Sequence, residues 1–253
     1  MIISGGTRAD QNGGSHRTGA LAALRGLFSF NSTTMTGSQP MDAEQFFLAH
    51  LRSPPARLLE VGCGTGELAR TLARRGYSMT AIDPDAPPGD IFRKASLEEF
   101  HEQQPFDVIL ASRSLHHIAA LVQAVSKLRS LLERGGLLIL NEFAWDQMDE
   151  RTARWYLSQV GQPRPEDESL LPGKFPEAWI AEHEGLHDSH AMRQVLADVF
   201  DEQEFDWVPY IAEHYLKQPD LIDQEWELIR SGLINPLGFH YVGRGGGGSS
   251  SLL

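Results

Sequence analysis

The sequence predicts a doubly wound α/β fold built on a mostly parallel sheet. Short apolar runs of strand length alternate with amphipathic stretches of helical period, the pattern of βαβ units. The first such run ends in a glycine-rich turn from which a helix starts, and no repeat of solenoid period interrupts the order. A chain of 253 residues is the size of one large domain.

The elements follow in order. Asp42 caps a helix running to about Leu51, and Pro54-Pro55 breaks it. Arg57 to Val61 is a buried strand run. Glu67 to Arg75 is helical with Gly76 as its stop, and Tyr77 to Asp83 is a second strand closed by Pro84. Asp90 to Ala95 reads as a short third strand, and Ser96-Leu97-Glu98-Glu99 is a capping-box pattern that opens a helix toward Gln104. Asp107 to Ala111 is a fourth strand. Ile118 to Glu133 places Leu121, Val125, Leu128 and Leu132 at helical spacing up to Gly135-Gly136, and Leu137 to Asn141 is again a buried strand. From about Glu142 to Asp188 the alternation lapses among Trp145, Trp155, Tyr156 and Trp179, which predicts an insertion capping the functional edge of the sheet. Ser189 to Phe200 is helical, Glu204 to Val208 strand-like, Gln224 to Arg230 helical, and Gly238 to Val242 a final strand.

Composition narrows the function. A hydrophobic share of 41% supports a real core, and 34 acidic against 22 basic residues give a net charge of -12, which repels phosphate backbones. Nucleic acid is therefore not an expected partner. A single cysteine, Cys63, allows no internal disulfide and no multi-cysteine zinc site, in keeping with a reducing, cytoplasmic compartment. No apolar run reaches the roughly 20 residues of a membrane helix. Residues 1–40 carry three arginines and one acid and read as a disordered leader outside the domain, with organelle import as the competing reading. The domain is expected over residues 41–244, with the cap at about 142–188, and the Gly/Ser run of 245–253 reads as a flexible tail. Composition says nothing of oligomeric state.

The informative run is Leu58-Leu59-Glu60-Val61-Gly62-Cys63-Gly64-Thr65-Gly66-Glu67. Glycines between a strand and a helix let a ligand approach bare backbone, although a tight turn alone would use them too. A dinucleotide site wants Gly or Ala three residues after Gly64, where Glu67 stands, and a pyrophosphate beside Glu60 and Glu67 would be repelled. A cationic ammonium would instead be attracted by Glu60.

In this acid-x-Gly-x-Gly-x-Gly run the chain resembles the class I S-adenosylmethionine-dependent methyltransferases, over about residues 57–141. The resemblance implies a Rossmann-like sheet with an antiparallel last strand and S-adenosylmethionine as cofactor. It implies that Glu60, Gly62, Cys63, Gly64 and Gly66 hold the donor, and that Asp83 closes the second strand as the family's ribose-binding acid. Ser96 and Leu97 stand where adenine is usually contacted, and Ser112 follows the fourth strand. The segment Ser114-Leu115-His116-His117 is similar to the Leu-His-His segment of many small-molecule methyltransferases, which makes His116 and His117 candidate catalytic residues. Bland readings stand beside these: Asp83 can cap a turn before Pro84, Ser96 can cap its helix without a ligand, and one histidine can pack while the other is solvated. Cys63 reads as turn filler.

The expected activity is transfer of a methyl group to a small-molecule acceptor, with oxygen favoured over nitrogen or carbon. No Asn/Asp-Pro-Pro-Tyr follows the fourth strand, which argues against amide or base-nitrogen methylation of that type, and no catechol-type metal set is evident, so no metal is expected. The competing classes are a degenerate methyltransferase fold kept as an interaction module and, less favoured, an NAD-dependent oxidoreductase. Trp155, Tyr156 and His187 are candidate substrate-facing residues of the cap, with anchoring of the insertion as the alternative for the two rings. His183-Glu184-Gly185-Leu186-His187 spells a zinc-protease pattern, but Gly185 and the fresh helix start at Asp188-Ser189 argue against one continuous helix.

Overall fold

The computed structural model describes residues 41–161 and 174–246. The expected leader, most of the expected tail and residues 162–173 lie outside them. In chain order the elements are α1 (Ala43–His50), β1 (Arg57–Val61), α2 (Glu67–Arg74), β2 (Ser78–Asp83), β3 (Phe92–Lys94), β4 (Phe106–Ser112), α3 (Leu121–Leu131) and β5 (Leu132–Phe143). They continue as α4 (Glu150–Val160), α5 (Phe175–Glu182), α6 (Ser189–Ala197), β6 (Phe200–Val208), α7 (Ile222–Arg230) and β7 (Gly238–Gly245). The seven strands form one sheet in the order β3-β2-β1-β4-β5-β7-β6. Pairing is parallel from β3 through β5, and β7 runs antiparallel between β5 and β6.

Strand alternation sends residues to two covered faces. Leu59, Val61, Ile109, Ala111, Leu138, Leu140, Phe239 and Tyr241 pack beneath α3 and α6. Leu58, Val108, Leu110, Ile139 and Val242 pack beneath α1 and α2, against Phe46, Phe47, Ala69 and Leu72. By the same parity Glu60, Ser112, Asn141 and His240 lie on the α1/α2 face at the C-terminal end of the parallel strands, and Glu142 lies on the other. A third cluster joins Phe143, Leu157, Phe175, Trp179, Tyr210 and Leu237 under α4 and α5. Among the described residues no helix is long and apolar enough to cross a membrane.

Several expectations need adjustment. No helix forms from Ser96 to Gln104. The capping box does close, with Glu99 N donating to Ser96 Oγ (3.3 Å) and Ser96 N to Glu99 Oε2 (3.4 Å). It stops at one turn because Glu102 Oε1 captures the amides of Gln103 and Gln104, and Pro105 disfavours a helical residue before it. The helix expected from Ile118 begins at Leu121 after a 3-10 turn, Leu115–His117. β5 starts at Leu132 and bulges past Gly135, whose φ of 76° needs glycine. It runs on to Phe143, so Glu142 is a strand residue. β6 starts four residues before Glu204, at Phe200, and Gly245 is the last residue of β7, paired with Phe200.

Candidate active site

The turn from β1 to α2 is built by its glycines for two different reasons. Gly62 and Cys63 donate their amides to Ile82 O (2.9 and 3.1 Å), which ties the turn to β2. A Cβ on Gly62 (φ 73°) would collide with Ser114 Oγ, and one on Gly66 (φ 78°), the N-cap of α2, would collide with the Phe92 ring. Packing alone demands both. Gly64 (φ 48°) has, among the described residues other than its chain neighbours, no atom within 4 Å of the place a Cβ would take, so its backbone faces open space.

That space is a cavity of about 790 Å3 between the turn, the start of α2 and the first turns of α1, with Glu60, Gly62, Cys63, Gly64, Ser112 and Arg113 in its wall. Glu60 is 5% exposed, and its Oε2 is a buried oxygen without a hydrogen-bond partner among the described residues. Burial, helped by the charge of Asp83 and opposed by the Ala69 amide, pushes its carboxyl up to about 7. The Cys63 thiol is pushed up to about 12 by burial and then by Glu60 and Asp83, so it is no nucleophile.

A second cavity, about 420 Å3, lies across the turn and shares Gly62 and Arg113 with the first. Asp83, Ser96, Leu97 and His117 line it. Asp83 accepts from Gly64 N at Oδ2 (3.0 Å) and from Asp85 N at Oδ1 (2.8 Å), which fixes the carboxylate while each oxygen keeps a free lone pair. The two cavities form one groove over the glycine turn, from Glu60 at one end to Leu97 at the other. Of the residues expected to hold the donor, only Gly66 is absent from both linings.

The groove fits S-adenosylmethionine on its own features. An orphaned carboxylate oxygen suits an ammonium, Asp83 suits a pair of ribose hydroxyls, and the far end joins apolar Leu97 and Ile118 to Ser96 as a purine would need.

The histidine pair is split. His116 is buried and its Nδ1 lies 2.6 Å from Glu142 Oε2, whose other oxygen accepts from the amides of Ser114 (2.9 Å) and Leu115 (2.7 Å). This network clamps the loop after β4. His117 is exposed and lines the second cavity, and its pKa is lowered by partial burial and by His116.

Arg113, which the sequence did not single out, lines both cavities. Its φ is 52°, a backbone conformation no sequence pattern announces. Its amide donates to Asn141 O (2.7 Å), and its Nη1 donates to His214 Nδ1 (2.9 Å) in the turn Ile211–Tyr215. His214 accepts as a neutral ring: burial, then the charges of Arg113 and Lys217, hold its pKa down to about 3. Glu225 fixes that turn by accepting from the amides of Tyr210, Ile211 and Ala212 (2.8, 3.0 and 2.7 Å).

The cap candidates fall elsewhere. Tyr156 packs near Phe175 and Tyr215 (5.5 and 6.1 Å between ring centroids), and Trp155 joins the same aromatic cluster. His187 Nε2 donates to Ile118 O (2.8 Å) and its amide to His116 O (3.0 Å), which staples the loop before α6 to the loop after β4. None of these three residues lines either cavity of the groove. His183 closes α5 as its C-cap, and its ring nitrogens meet Trp179 O (2.7 Å) and Tyr215 Oη (2.8 Å), while Gly185 takes φ 92°. His183 and His187 therefore do not share a helix.

Comparison with known proteins bears on the family and the fold. A family model described as a methyltransferase domain matches residues 38–208. An uncharacterized methyltransferase of Mycobacterium tuberculosis is 34% identical over 113 residues, 40% of this chain and 56% of that protein. A ubiquinone biosynthesis O-methyltransferase of Xanthomonas campestris is 31% identical over 111 residues, 38% of this chain and 46% of its own length. The chain thus spans about half the length of these curated relatives. In fold it is similar to a Listeria monocytogenes protein described as an S-adenosylmethionine dependent methyltransferase, with a TM-score of 0.51 and 16% identity over 77% of this chain and 92% of that one.

Proposed function

The chain belongs to the methyltransferase-domain family, and from that premise we propose that it moves a methyl group from S-adenosylmethionine to a small-molecule acceptor. The observation that carries the reading is the partnerless Oε2 of Glu60, buried beside the open face of Gly64 and across the glycine turn from Asp83. When bound, the donor supplies an electrophilic methyl on a sulfonium, and the acceptor must meet it in line.

The chain's residues then bind and orient. Glu60 receives the ammonium, Asp83 takes the ribose hydroxyls, and Ser96 with Leu97 borders the purine, while Gly62, Cys63 and Gly64 present backbone to the middle. His117 faces the nucleoside end, and His116 acts on the site through the loop it clamps with Glu142. Ser112, at the end of β4 in the wall of the first cavity, borders the donor. An oxygen acceptor is the first choice, supported by the likeness to the O-methyltransferase of Xanthomonas campestris. Residues 41–245 are read as the catalytic domain, with about 144–188, the stretch after β5, as its cap.

Calorimetry with S-adenosylhomocysteine tests the reading. Sub-millimolar binding by the wild type that is lost in Asp83→Ala supports it; no binding by the wild type overturns it and favours a fold kept as an interaction module.

A further inference from the structure

A third cavity, of about 480 Å3, opens where the N-terminus of α1 meets the ends of β5, β6 and β7 and the entry to α7. Its rim carries three exposed carboxylates, Asp42, Asp220 and Asp223, and among the described residues no lysine or arginine lines it. Its floor is Asn141 and His240, each 5% exposed. Asn141 Nδ2 donates to Ser112 Oγ (3.1 Å), and its Oδ1 has no donor among the described residues. The His240 ring lies flat on Phe46, 3.9 Å between centroids, and neither of its nitrogens has a hydrogen-bond partner among the described residues. Burial and the nearby His50 hold the ring neutral, with a pKa of about 3, so one nitrogen always offers a lone pair.

The polar lining is dominated by carboxylates and includes free acceptors on Asn141 and His240, whose neutral ring also carries one N–H; the rest of the lining, Gln45 apart, is apolar. Three carboxylates over buried side chains whose acceptors have no donor among the described residues favour a ligand that donates hydrogen bonds and carries positive charge. The cavity is also placed to serve the groove. It shares Ala43 with the Glu60 cavity, and Ser112, Asn141 and His240 are register partners across β4, β5 and β7 on the same face.

We propose that this third cavity is the acceptor subsite and that it selects an acceptor carrying a protonated amine or guanidinium, held by Asp42, Asp220 and Asp223 over Asn141 and His240. The inference rests on the methyl-donor reading above. The cationic group is a handle, distinct from the atom that takes the methyl.

The test titrates putrescine and agmatine into the protein by calorimetry, with 1,4-butanediol as the uncharged control, each with and without S-adenosylhomocysteine. The two cations are expected to bind and the diol not to. Asp220→Asn combined with Asp223→Asn is expected to weaken cation binding at least about tenfold and leave S-adenosylhomocysteine binding unchanged. A charge-matched variant with neither residue in the lining, Glu177→Gln with Glu184→Gln, is expected to bind cations as the wild type does, which separates the cavity from the general pull of a chain of net charge -12. Equal weakening by both double variants, or equal binding of diamine and diol, overturns the inference. Binding of S-adenosylhomocysteine without binding of either cation overturns it alone. Cation binding without S-adenosylhomocysteine binding overturns the donor reading and the acceptor role with it. With labelled donor and a metabolite extract, the methylated product is expected to be retained on a cation exchanger, and a product that passes through overturns the proposal.

Discussion

Glu60 and Glu142 are buried carboxylates near the same edge of the same sheet, one on each face, and they are opposites in their hydrogen bonds. Glu142 collects the amides of Ser114 and Leu115 and the ring of His116, and it is 0% exposed. Glu60 is nearly as buried and leaves one oxygen with nothing. A carboxylate with every bond made inside the protein is a fastening, and one with a bond missing is waiting for a partner from outside. Burial alone does not tell a site from a scaffold; the hydrogen-bond inventory does.

The largest expected effect is on the fastening. Glu142→Ala strands two backbone amides and a histidine nitrogen, and denaturant unfolding should show a loss of about 3–5 kcal/mol. Unchanged stability with lost S-adenosylhomocysteine binding would break the comparison, because Glu142 would then be a ligand residue.

Asp83→Ala should lie next. A charged hydrogen-bond partner of the donor is worth about 1.5–3 kcal/mol, which corresponds to roughly 10- to 100-fold in S-adenosylhomocysteine affinity by calorimetry. A larger effect on melting temperature than on affinity would return Asp83 to the role of a turn cap.

Glu60 gives the sharpest test, through pH. Its carboxyl is raised from 4.5 to about 7 in the folded protein, so the folded state keeps a proton that the unfolded chain gives up. Stability in the ligand-free protein is therefore lost as pH rises from about 4.5 to about 7. Glu60→Gln removes that loss, and its melting temperature should gain on the wild type across the same window. Ligand affinity runs the other way: an ammonium needs the ionised carboxylate, so wild-type affinity for S-adenosylhomocysteine should fall as pH drops through 7, and the variant should show a flatter profile. Parallel pH profiles for the two proteins would remove Glu60 from the site.

The smallest effect concerns the cap. The Tyr156 hydroxyl has no hydrogen-bond partner among the described residues, and the ring contacts survive in Tyr156→Phe. Stability within about 0.5 kcal/mol of wild type and an unchanged methylation rate are expected. A slower rate at equal stability would move Tyr156 from anchor to acceptor wall.

The β1–β4 half was legible from sequence because β1 and β4 are buried on both faces, because Gly or Pro punctuates the runs, and because Glu60 and Asp83 stand at fixed places beside a glycine turn. The sequence also read the glycines as room for a ligand, whereas Gly62 and Gly66 answer to Ser114 and Phe92, contacts between segments far apart in the chain. Arg113, Asn141 and His240 were missed as site residues for a similar reason. A positive φ at arginine leaves no pattern, and His240 meets Asn141 only because β7 inserts beside β5. The expected helix after Ser96 failed where local side-chain bonds outcompeted a real capping box.

That insertion of β7 sets an order of assembly. The groove over the glycine turn is lined by residues no later than Ala119, whereas the third cavity waits for His240 on the last described strand. During synthesis the parallel strands β1 to β4 emerge and can pair long before β7 can slot between β5 and β6, and such non-local pairing is slow. Pulse-labelled hydrogen exchange during refolding should accordingly show amides of β1 and β4 protected ahead of those of β7; simultaneous protection would deny the sequence of events. On this order a nascent chain is equipped for the methyl donor well before it has anywhere to seat the molecule that receives the methyl.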